Sequence, residues 1–323
     1  MSNPFPTEDV ACPLGCHRHD ETILVGQDRI HDLPGQFVVV KCKQCGLMRT
    51  NPRPTPQSMA NYYPDDYGPY LGTRVAANVV QVPVVEKVAF YKKPIRYIFK
   101  HFFQFNTEVM PPLPPGRMLE IGCASGSFLH HMSARGWQVQ GIEFSAKAAE
   151  VASGLGYPVH AGSLETAPQP AEAFDLIVGW MVLEHLHDPI AGLKKLRNCA
   201  KSDAWLVLSV PNAGSVEFRL FGNRWYALQL PNHLYHFTPN TIRRVLDAGG
   251  WKVEKIHHQR VLSNLIASTG YVLIDKGYPR LGRKLVDYPV RSGWGNFILY
   301  PLAWLLSQFG QTGRMTIWAR VKS

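Results

Sequence analysis

The sequence predicts an α/β fold around a mostly parallel sheet, with a small N-terminal module before it and a helical insertion near the C-terminus. Three observations predict this fold: an apolar strand that enters a turn of small residues at 118–126, further apolar segments separated by helical ones, and two early cysteine pairs. A chain of 323 residues with 46% hydrophobic content can form one main domain with appendages. We divide it into a cysteine module (1–57), a linker and helical cap (58–110), a core (111–261), an apolar and basic helical insertion (262–312) and a final core strand (313–323).

The turn at 118–126, MLEIGCASG, predicts a binding site for a nucleotide-like cofactor. Its small residues allow a ligand to approach the backbone, and the helix that follows, SFLHHMSARG, points its N-terminal amides towards that ligand. A nicotinamide fingerprint would need glycine in place of Ala124 and Ser127.

The spacing of this turn resembles the acidic-x-Gly-x-Gly-x-Gly motif of class I S-adenosylmethionine (SAM) methyltransferases, with Ala124 at the middle glycine. The resemblance implies their seven-stranded Rossmann-like sheet, SAM as the cofactor and methyl transfer as the reaction. The segment 137–144, WQVQGIEF, reads as the second strand and ends in Glu143, about 20 residues past the turn, where a carboxylate can accept both ribose hydroxyls. The family also places the adenine after the third strand and the methionine arm after the fourth strand, FDLIVG at 174–179. The predicted cofactor residues are Glu120, Gly122, Ala124, Ser125, Gly126, Glu143, Phe144, Ser163, Leu164, Trp180 and Met181.

The two early cysteine pairs are Cys12 with Cys16 and Cys42 with Cys45, and they look like a zinc ribbon. Four thiolates on two tight turns suit tetrahedral zinc, and a structural zinc contributes on the order of 10 kcal/mol to so small a segment. The first pair has three intervening residues where ribbons usually have two, so His17 or His19 is the alternative to Cys16. The other alternative is a hairpin that has lost its metal.

From Cys42 onward the chain resembles a bacterial methyltransferase family that carries a zinc ribbon, an Asn-Pro-Arg-Pro segment and a Tyr-Tyr-Pro cluster. This family includes deoxysugar C-methyltransferases and enzymes of polysaccharide and natural-product gene clusters. The resemblance implies a sugar, a glycan precursor or a small natural product as the acceptor. Tyr62 and Tyr63 offer amphipathic faces that can close over this substrate, or they pack the ribbon, with Tyr67, against the main domain.

The segment NHLYH at 232–236 is the predicted catalytic region, because the capped helix that starts at Thr238 does not explain its polar residues. In the deoxysugar C-methyltransferases a Glu-His pair stands here and its histidine is the general base; Asn232 and His233 occupy these positions. A histidine suits the removal of an acceptor proton near neutral pH. The loss of the glutamate favours oxygen over carbon as the methylated atom. Asn232 and Tyr235 are further substrate candidates, and His236 is a helper.

Glu184 and His185 follow the fourth strand and resemble the Glu-His pair of quinone-biosynthesis O-methyltransferases. Those enzymes hold a divalent cation with an additional upstream glutamate, and Met181 stands at that position here. The sequence therefore predicts no metal at this site. His185 is either a packing residue or a second catalytic helper.

The net charge is +10 and the pI is 9.3, so we expect the basic surface of the protein to meet a partner. Basic residues concentrate at 87–105 and 276–291, before the apolar run FILYPLAWLL at 297–306, which is too short to span a bilayer. An interfacial helix would place Trp294, Tyr300 and Trp304 at headgroup depth. We expect the insertion, which separates the strands at 251–258 and 314–321, to dock on a membrane, cover the acceptor site or form a homodimer interface.

Two other classes of function are compatible with parts of the sequence. A zinc ribbon with basic charge permits an RNA methyltransferase, but the basic residues are interleaved with apolar ones and no RNA-binding motif is present. A non-catalytic SAM-binding scaffold is the third class, and it usually has an eroded cofactor turn. The N-terminus lacks a basic segment followed by an apolar one, so we expect a cytoplasmic protein, either free or peripheral at the inner membrane face.

Overall fold

The computed structural model describes residues 3–63, 109–291 and 295–322. Most of the predicted linker and cap, including Tyr67 and the basic segment at 87–105, lies outside the described residues, as does Trp294. The predicted division into regions remains a prediction.

The N-terminal part forms short strands that are joined by tight turns. Its elements are β1 (Thr7–Glu8), β2 (Asp20–Gly26), β3 (Phe37–Cys42), β4 (Met48–Thr50), β5 (Arg53–Pro54) and helix α1 (Pro56–Met59), followed by a 3-10 turn at Ala60–Tyr62. Strands β2, β3 and β4 pair antiparallel in sequence, and β1 pairs with β5. Both cysteine pairs lie at the end of this sheet where Asp20 of β2 pairs with Cys42 of β3.

Strands and helices alternate in the core, as the sequence predicts. The elements are β6 (Arg117–Ile121), α2 (Ser127–Ser133), β7 (Gln138–Glu143), α3 (Ala146–Gly154), β8 (Val159–Ala161), β9 (Phe174–Trp180), α4 (Pro189–Asn198), β10 (Ala200–Pro211), α5 (Val216–Phe221), β11 (Tyr235–His236), α6 (Pro239–Ala248) and β12 (Trp251–His258). The insertion forms α7 (Ser263–Asp275), α8 (Pro279–Val286), α9 (Tyr288–Arg291), α10 (Gly295–Ile298) and α11 (Tyr300–Gln308), and strand β13 (Arg314–Val321) follows.

The main sheet has seven strands in the order β12–β13–β10–β9–β6–β7–β8. The five strands from β10 to β8 are parallel, and β13 runs antiparallel between β10 and β12. This confirms the Rossmann-like methyltransferase sheet and the antiparallel pairing of the two last strands. Strands β7 and β8 lie on one side of β6, whereas β9 and β10 lie on the other, so the order of the strands reverses between β6 and β9. Ligands of such sheets bind at the carboxyl ends of the strands at this switch point.

A second sheet joins the cysteine module to the core, in the order β11–β4–β3–β2. Tyr235 pairs with Arg49 and His236 with Met48. The predicted catalytic segment 232–236 therefore has a structural role that the sequence does not reveal, because two of its five residues form a strand of this sheet.

In the described residues, the predicted helical insertion contains five helices. Helices α7 and α8 cross closely, because a Cβ atom on Gly270 would lie 2.6 Å from the carbonyl oxygen of Gly282. Three short helices then lead back to β13. None of the helices in the described ranges is long and apolar enough to cross a membrane.

Candidate active site

The predicted cofactor turn lies at the carboxyl end of β6 and requires glycine at two positions. Gly122 has φ +67° and Gly126 has φ +80°. A Cβ atom would lie 2.5 Å from Val182 Cγ2 at the first position and 2.9 Å from Ala152 Cβ at the second. Ala124 adopts φ +46°, a left-handed conformation that costs an L-residue energy. This turn fits SAM, because its backbone forms a compact concave site that a side chain at Gly122 or Gly126 would occupy.

Glu143, at the end of β7, links this strand through a hydrogen bond to the turn after β6. Its side chain is buried, and its two oxygens accept hydrogen bonds from the amides of Ala124 and Ser145, each at 2.8 Å. Burial raises the pKa of Glu143, and the amide bonds oppose this shift. Each carboxylate oxygen can accept a second hydrogen bond, so the predicted contact to ribose hydroxyls is compatible with this geometry.

The remaining predicted cofactor residues follow the ends of β6 to β9. The ring of Trp180 packs edge-on against Phe128 at 5.2 Å between centroids, and Met181 adopts φ +59° directly after β9. Glu120, Ser125 and Leu164 are buried, whereas Phe144 is exposed. The hydroxyl of Ser163 accepts a hydrogen bond from the amide of Thr166. The cofactor contacts of these side chains remain predictions.

His185 and His233 lie together. Their ring centroids are 4.6 Å apart and the rings are nearly perpendicular, at 82°. Nδ1 of His233 lies 2.9 Å from the carbonyl oxygen of Ala227, and Nδ1 of His185 lies 3.0 Å from that of Asn232. Because a carbonyl oxygen can only accept, Nδ1 of His233 carries the proton and the lone pair of that ring is on Nε2. Nδ1 of His185 also lies 2.8 Å from the hydroxyl of Tyr63, which can donate or accept, so the contacts of His185 allow either tautomer.

Both rings are neutral at pH 7. Burial lowers the pKa of His185 to about 4. Burial and the neighbouring His185 and His236 hold the pKa of His233 well below its usual range. Both rings are therefore in the form that can accept a proton, but burial disfavours the charged imidazolium that results.

Glu184 is the acidic residue beside this pair. Its side chain is fully buried, and neither oxygen has a hydrogen-bond partner among the described residues. One of its oxygens and one ring nitrogen of each histidine lie within 4.8 Å of one another. Burial raises the pKa of Glu184 to about 8, and the positive charge of Arg314 opposes this shift. One carboxylate and two imidazoles can also bind a divalent ion, so the absence of a metal here remains a prediction.

The other predicted substrate residues differ in their surroundings. Tyr62 is buried in the cysteine module between Phe5 and Phe37, and its carbonyl oxygen accepts a hydrogen bond from the side chain of Asn232 at 2.8 Å. These contacts favour the packing interpretation for Tyr62. Tyr63 instead lies at the site, with its hydroxyl 2.8 Å from Nδ1 of His185.

Tyr235 and His236 are buried between the cysteine module and the core. The hydroxyl of Tyr235 accepts a hydrogen bond from Arg53 and donates one to the carbonyl oxygen of His187. Nε2 of His236 lies 3.2 Å from the hydroxyl of Thr50. Tyr235 thus connects the cysteine module to the segment after β9, whereas His236 contacts Thr50 within the sheet that β11 and β4 share. Both side chains are positioned to support His233 rather than to contact an acceptor.

Sequence reasoning missed two residues near the site. Thr50 donates its hydroxyl hydrogen to the carbonyl oxygen of His233 at 2.8 Å. Arg314 begins β13, and its positive charge acts on Glu184 and His233. The position of Arg314 at the start of the predicted last strand was an available signal, because an antiparallel strand begins at the carboxyl edge of its parallel neighbours. For Thr50 the sequence carries no signal.

The cysteine module brings together four free thiols, those of Cys12, Cys16, Cys42 and Cys45. Their sulfur atoms lie within 4.8 Å of one another, and those of Cys12 and Cys45 are 3.5 Å apart. Burial raises the pKa of the Cys42 thiol, but the amides of Cys45 and Gln44 donate to its sulfur and the net pKa is lowered. This donor set fits zinc and includes Cys16, whereas His17 and His19 are exposed and outside it.

Comparisons with known proteins agree with this architecture. The family described as "Methyltransferase domain" matches residues 93–256, half of the chain. The chain is similar to the ubiquinone biosynthesis O-methyltransferase of Cereibacter sphaeroides, with 29% identity over 138 residues, 40% of this chain and 56% of that protein. A protein of the same name from Nitrosomonas europaea is 25% identical over 154 residues, 45% of this chain and 66% of that protein.

The chain thus spans little more than half the length of the first of these relatives. Among solved structures it is similar to an S-adenosylmethionine dependent methyltransferase from Mesorhizobium loti, with a TM-score of 0.43, 15% identity and coverage of 65% of this chain and 93% of that one. The family match over half of the chain is the decisive finding, and it agrees with the strand order and the cofactor turn. The chain belongs to this methyltransferase family and contains a class I SAM-dependent methyltransferase domain.

Proposed function

We propose that this enzyme methylates a hydroxyl oxygen of a sugar, a glycan precursor or a small natural product, with His233 as the general base. The observation that carries the proposal is the orientation of the two histidines. Nδ1 of His233 donates its proton to the carbonyl oxygen of Ala227 at 2.9 Å, which leaves Nε2 as the basic atom, and the ring of His185 packs against this ring. His185 follows the strand that ends beside the cofactor turn.

SAM supplies an electrophilic methyl group when it is bound at this turn. The acceptor oxygen would take this methyl group and the bond from its carbon to sulfur would break, while Nε2 of His233 would take the hydroxyl proton. The resulting imidazolium would be buried beside His185, His236 and Arg314, which disfavour its charge. The carboxyl group of Glu184, whose oxygen lies within 4.8 Å of a His233 ring nitrogen, can offset this charge once it is ionised, that is, as the pH rises through its pKa of about 8.

The lowered pKa of His233 supports oxygen over carbon as the methylated atom. A weak base cannot remove a proton from an unactivated carbon, but a hydroxyl needs to lose its proton only as the new bond forms. The relatives named as O-methyltransferases agree with this preference. The acceptor class is supported by the aromatic pair of Tyr63 and Phe144, whose ring centroids are 6.4 Å apart and which offer apolar faces beside a hydroxyl.

The experiment is methyl transfer from SAM with a labelled methyl group to a host extract that has been separated into nucleotide-sugar, lipid, RNA and protein fractions. We expect label in the nucleotide-sugar or lipid fraction, and a methyl carbon bonded to oxygen in the NMR spectrum of the product. The variant Gly122→Val, which cannot form the cofactor turn, serves as the negative control. Label in RNA alone would replace this proposal with an RNA methyltransferase. No transfer and no SAM binding would replace it with a non-catalytic protein.

A further inference from the structure

The C-terminal insertion presents an apolar helical face to solvent. Ile298, Leu302, Leu305 and Phe309 are 76%, 44%, 49% and 70% exposed. Their spacing of four, three and four residues places them on one face of a helix. Leu299 keeps a helical conformation between α10 and α11, so the face is continuous.

The opposite face of the same helix is packed against the protein. Tyr300 and Ala303 are buried, Ser307 is buried one turn later, and the hydroxyl of Tyr300 accepts a hydrogen bond from Arg260. The exposed face is therefore not a sign of a loosely attached helix. Trp304, which is 46% exposed, widens the exposed face with an aromatic ring that is suited to an interface between water and apolar chains.

The charge of the insertion indicates which kind of surface the exposed apolar face binds. Residues 276–309 contain five basic residues and one acidic residue, Asp287. Three of the basic side chains, Arg280, Arg283 and Lys284, are exposed on helix α8. Basic residues that precede, in the same insertion, an amphipathic helix with exposed aromatic and aliphatic side chains are typical of attachment to anionic lipid.

We propose that helix α11 lies in the surface of an anionic phospholipid membrane, with Ile298, Leu302, Leu305 and Phe309 inserted among the lipid chains. A second copy of the chain fits this face less well, because it would bring two basic insertions together in a protein of net charge +10. Docking of this kind needs no spanning helix.

Membrane docking would also orient the active site. The side chain of Asn212, which follows β10 at the carboxyl edge of the sheet, donates to the carbonyl oxygens of Gly310 and Thr312, each at 3.0 Å. These bonds attach the end of α11 to the edge that carries the cofactor turn. A lipid-linked acceptor would then reach the enzyme from the surface on which α11 lies; this last step rests on the proposed function, whereas membrane docking does not.

The test is flotation of the purified full-length protein with vesicles of phosphatidylcholine alone or mixed with phosphatidylglycerol. The matched variants are Leu302→Glu with Leu305→Glu on the exposed face, and Val151→Glu, a half-exposed apolar position on α3 outside the insertion. SAM binding by each variant shows that its core is folded.

We expect the wild type and Val151→Glu to float with the anionic vesicles, and to float less at high salt. The double variant should bind them at least roughly tenfold more weakly, because two leucines lose their burial in lipid. Equal flotation of the double variant would overturn the proposal. A wild type that does not float with either vesicle would also overturn it, and a dimer that the double variant dissociates would assign the face to a second copy instead.

Discussion

The hydroxyl of Thr50 donates a hydrogen bond to the carbonyl oxygen of His233 at 2.8 Å, although the two residues are 183 positions apart in the chain. Thr50 ends strand β4 of the cysteine module, and His233 stands two residues before β11, the strand that completes the same sheet. The backbone of the proposed base is therefore held by the module that the sequence presents as a separate appendage. Substitutions in the cysteine module should therefore affect the position of His233 through this sheet.

Thr50→Val should lower both stability and activity. Valine has a similar shape but leaves the buried carbonyl oxygen of His233 without its donor, which costs about 1–3 kcal/mol in the free energy of unfolding. We expect this loss in urea unfolding at pH 7, together with slower methyl transfer. Thr22→Val, at an exposed position of β2 in the same sheet, is the control and should change neither quantity. Equal stability of both variants would mean that the bond is not formed in solution.

The purified protein should contain one zinc ion per chain in a site of four thiolates. Cobalt substitution should give the intense near-ultraviolet absorption of sulfur-to-metal charge transfer, and Cys16→Ser should weaken both this absorption and metal retention. Ala substitution of His17 and His19 together should change neither, because both side chains lie outside the sulfur cluster. Removal of the metal by a chelator should destabilise the module on the order of 10 kcal/mol. Full metal retention by Cys16→Ser would show that another residue is the fourth ligand.

Gly122→Ala should weaken SAM binding without unfolding the protein. Its Cβ atom would lie 2.5 Å from Val182 Cγ2, and alanine would have to adopt φ +67°, so the turn must shift. Isothermal titration calorimetry should show at least roughly tenfold weaker binding, since a shift that costs about 1.4 kcal/mol already has this effect. Gly154→Ala, at the end of α3 where a Cβ atom meets nothing within 4 Å, is the matched control.

The stability of the fold should depend on pH through Glu184. Its pKa rises from 4.5 to about 8 on burial, so the folded state binds a proton that the unfolded state has lost between these values. The stabilisation from the protonated carboxyl is complete below pH 4.5 and disappears as the pH rises through 8. Relative to Glu184→Gln, the wild type should therefore lose stability over this window, by up to about 1.4 kcal/mol per pH unit.

Urea unfolding of both proteins at several pH values between 5 and 8 measures this difference. Glu150→Gln, on the surface of α3, provides the control and should show the same pH dependence as the wild type. A constant difference between wild type and Glu184→Gln across the window would mean that the carboxyl is ionised throughout.

The sequence was sufficient to predict the features that repeat a local pattern. The strands at 251–258 and 314–321 have the predicted bounds, and Thr238 caps α6 with Pro239 at its first position. Each of these elements is determined by its own apolar periodicity or capping residues. Strand β10 is an exception, because its apolar run starts at Trp205 whereas the strand begins at Ala200. Ala200 pairs with Phe174 of β9 across a register shift, and the polar residues that follow Ala200 give no strand pattern.

The candidate site could be predicted only in part. The positive φ angles of Gly122 and Gly126 follow from the glycine pattern, whereas the contact between His185 and His233 depends on how two distant segments pack. Strand β11 is two residues long and pairs with a strand from the other end of the chain, so no local pattern marks it. Tyr62 and Tyr63 are adjacent and identical, and only the structure separates the packed ring from the one at the site.

The most direct measurement for the proposed mechanism is the rate of methyl transfer by His233→Gln, using the extract fraction that accepts label from the wild type. Glutamine keeps a polar group of similar length but cannot take a proton. We expect the rate to fall by about 10²- to 10⁴-fold, with the affinity for SAM unchanged, and His185→Gln to cause a smaller loss. An undiminished rate for His233→Gln together with a large loss for His185→Gln would contradict the assignment and make His185 the base.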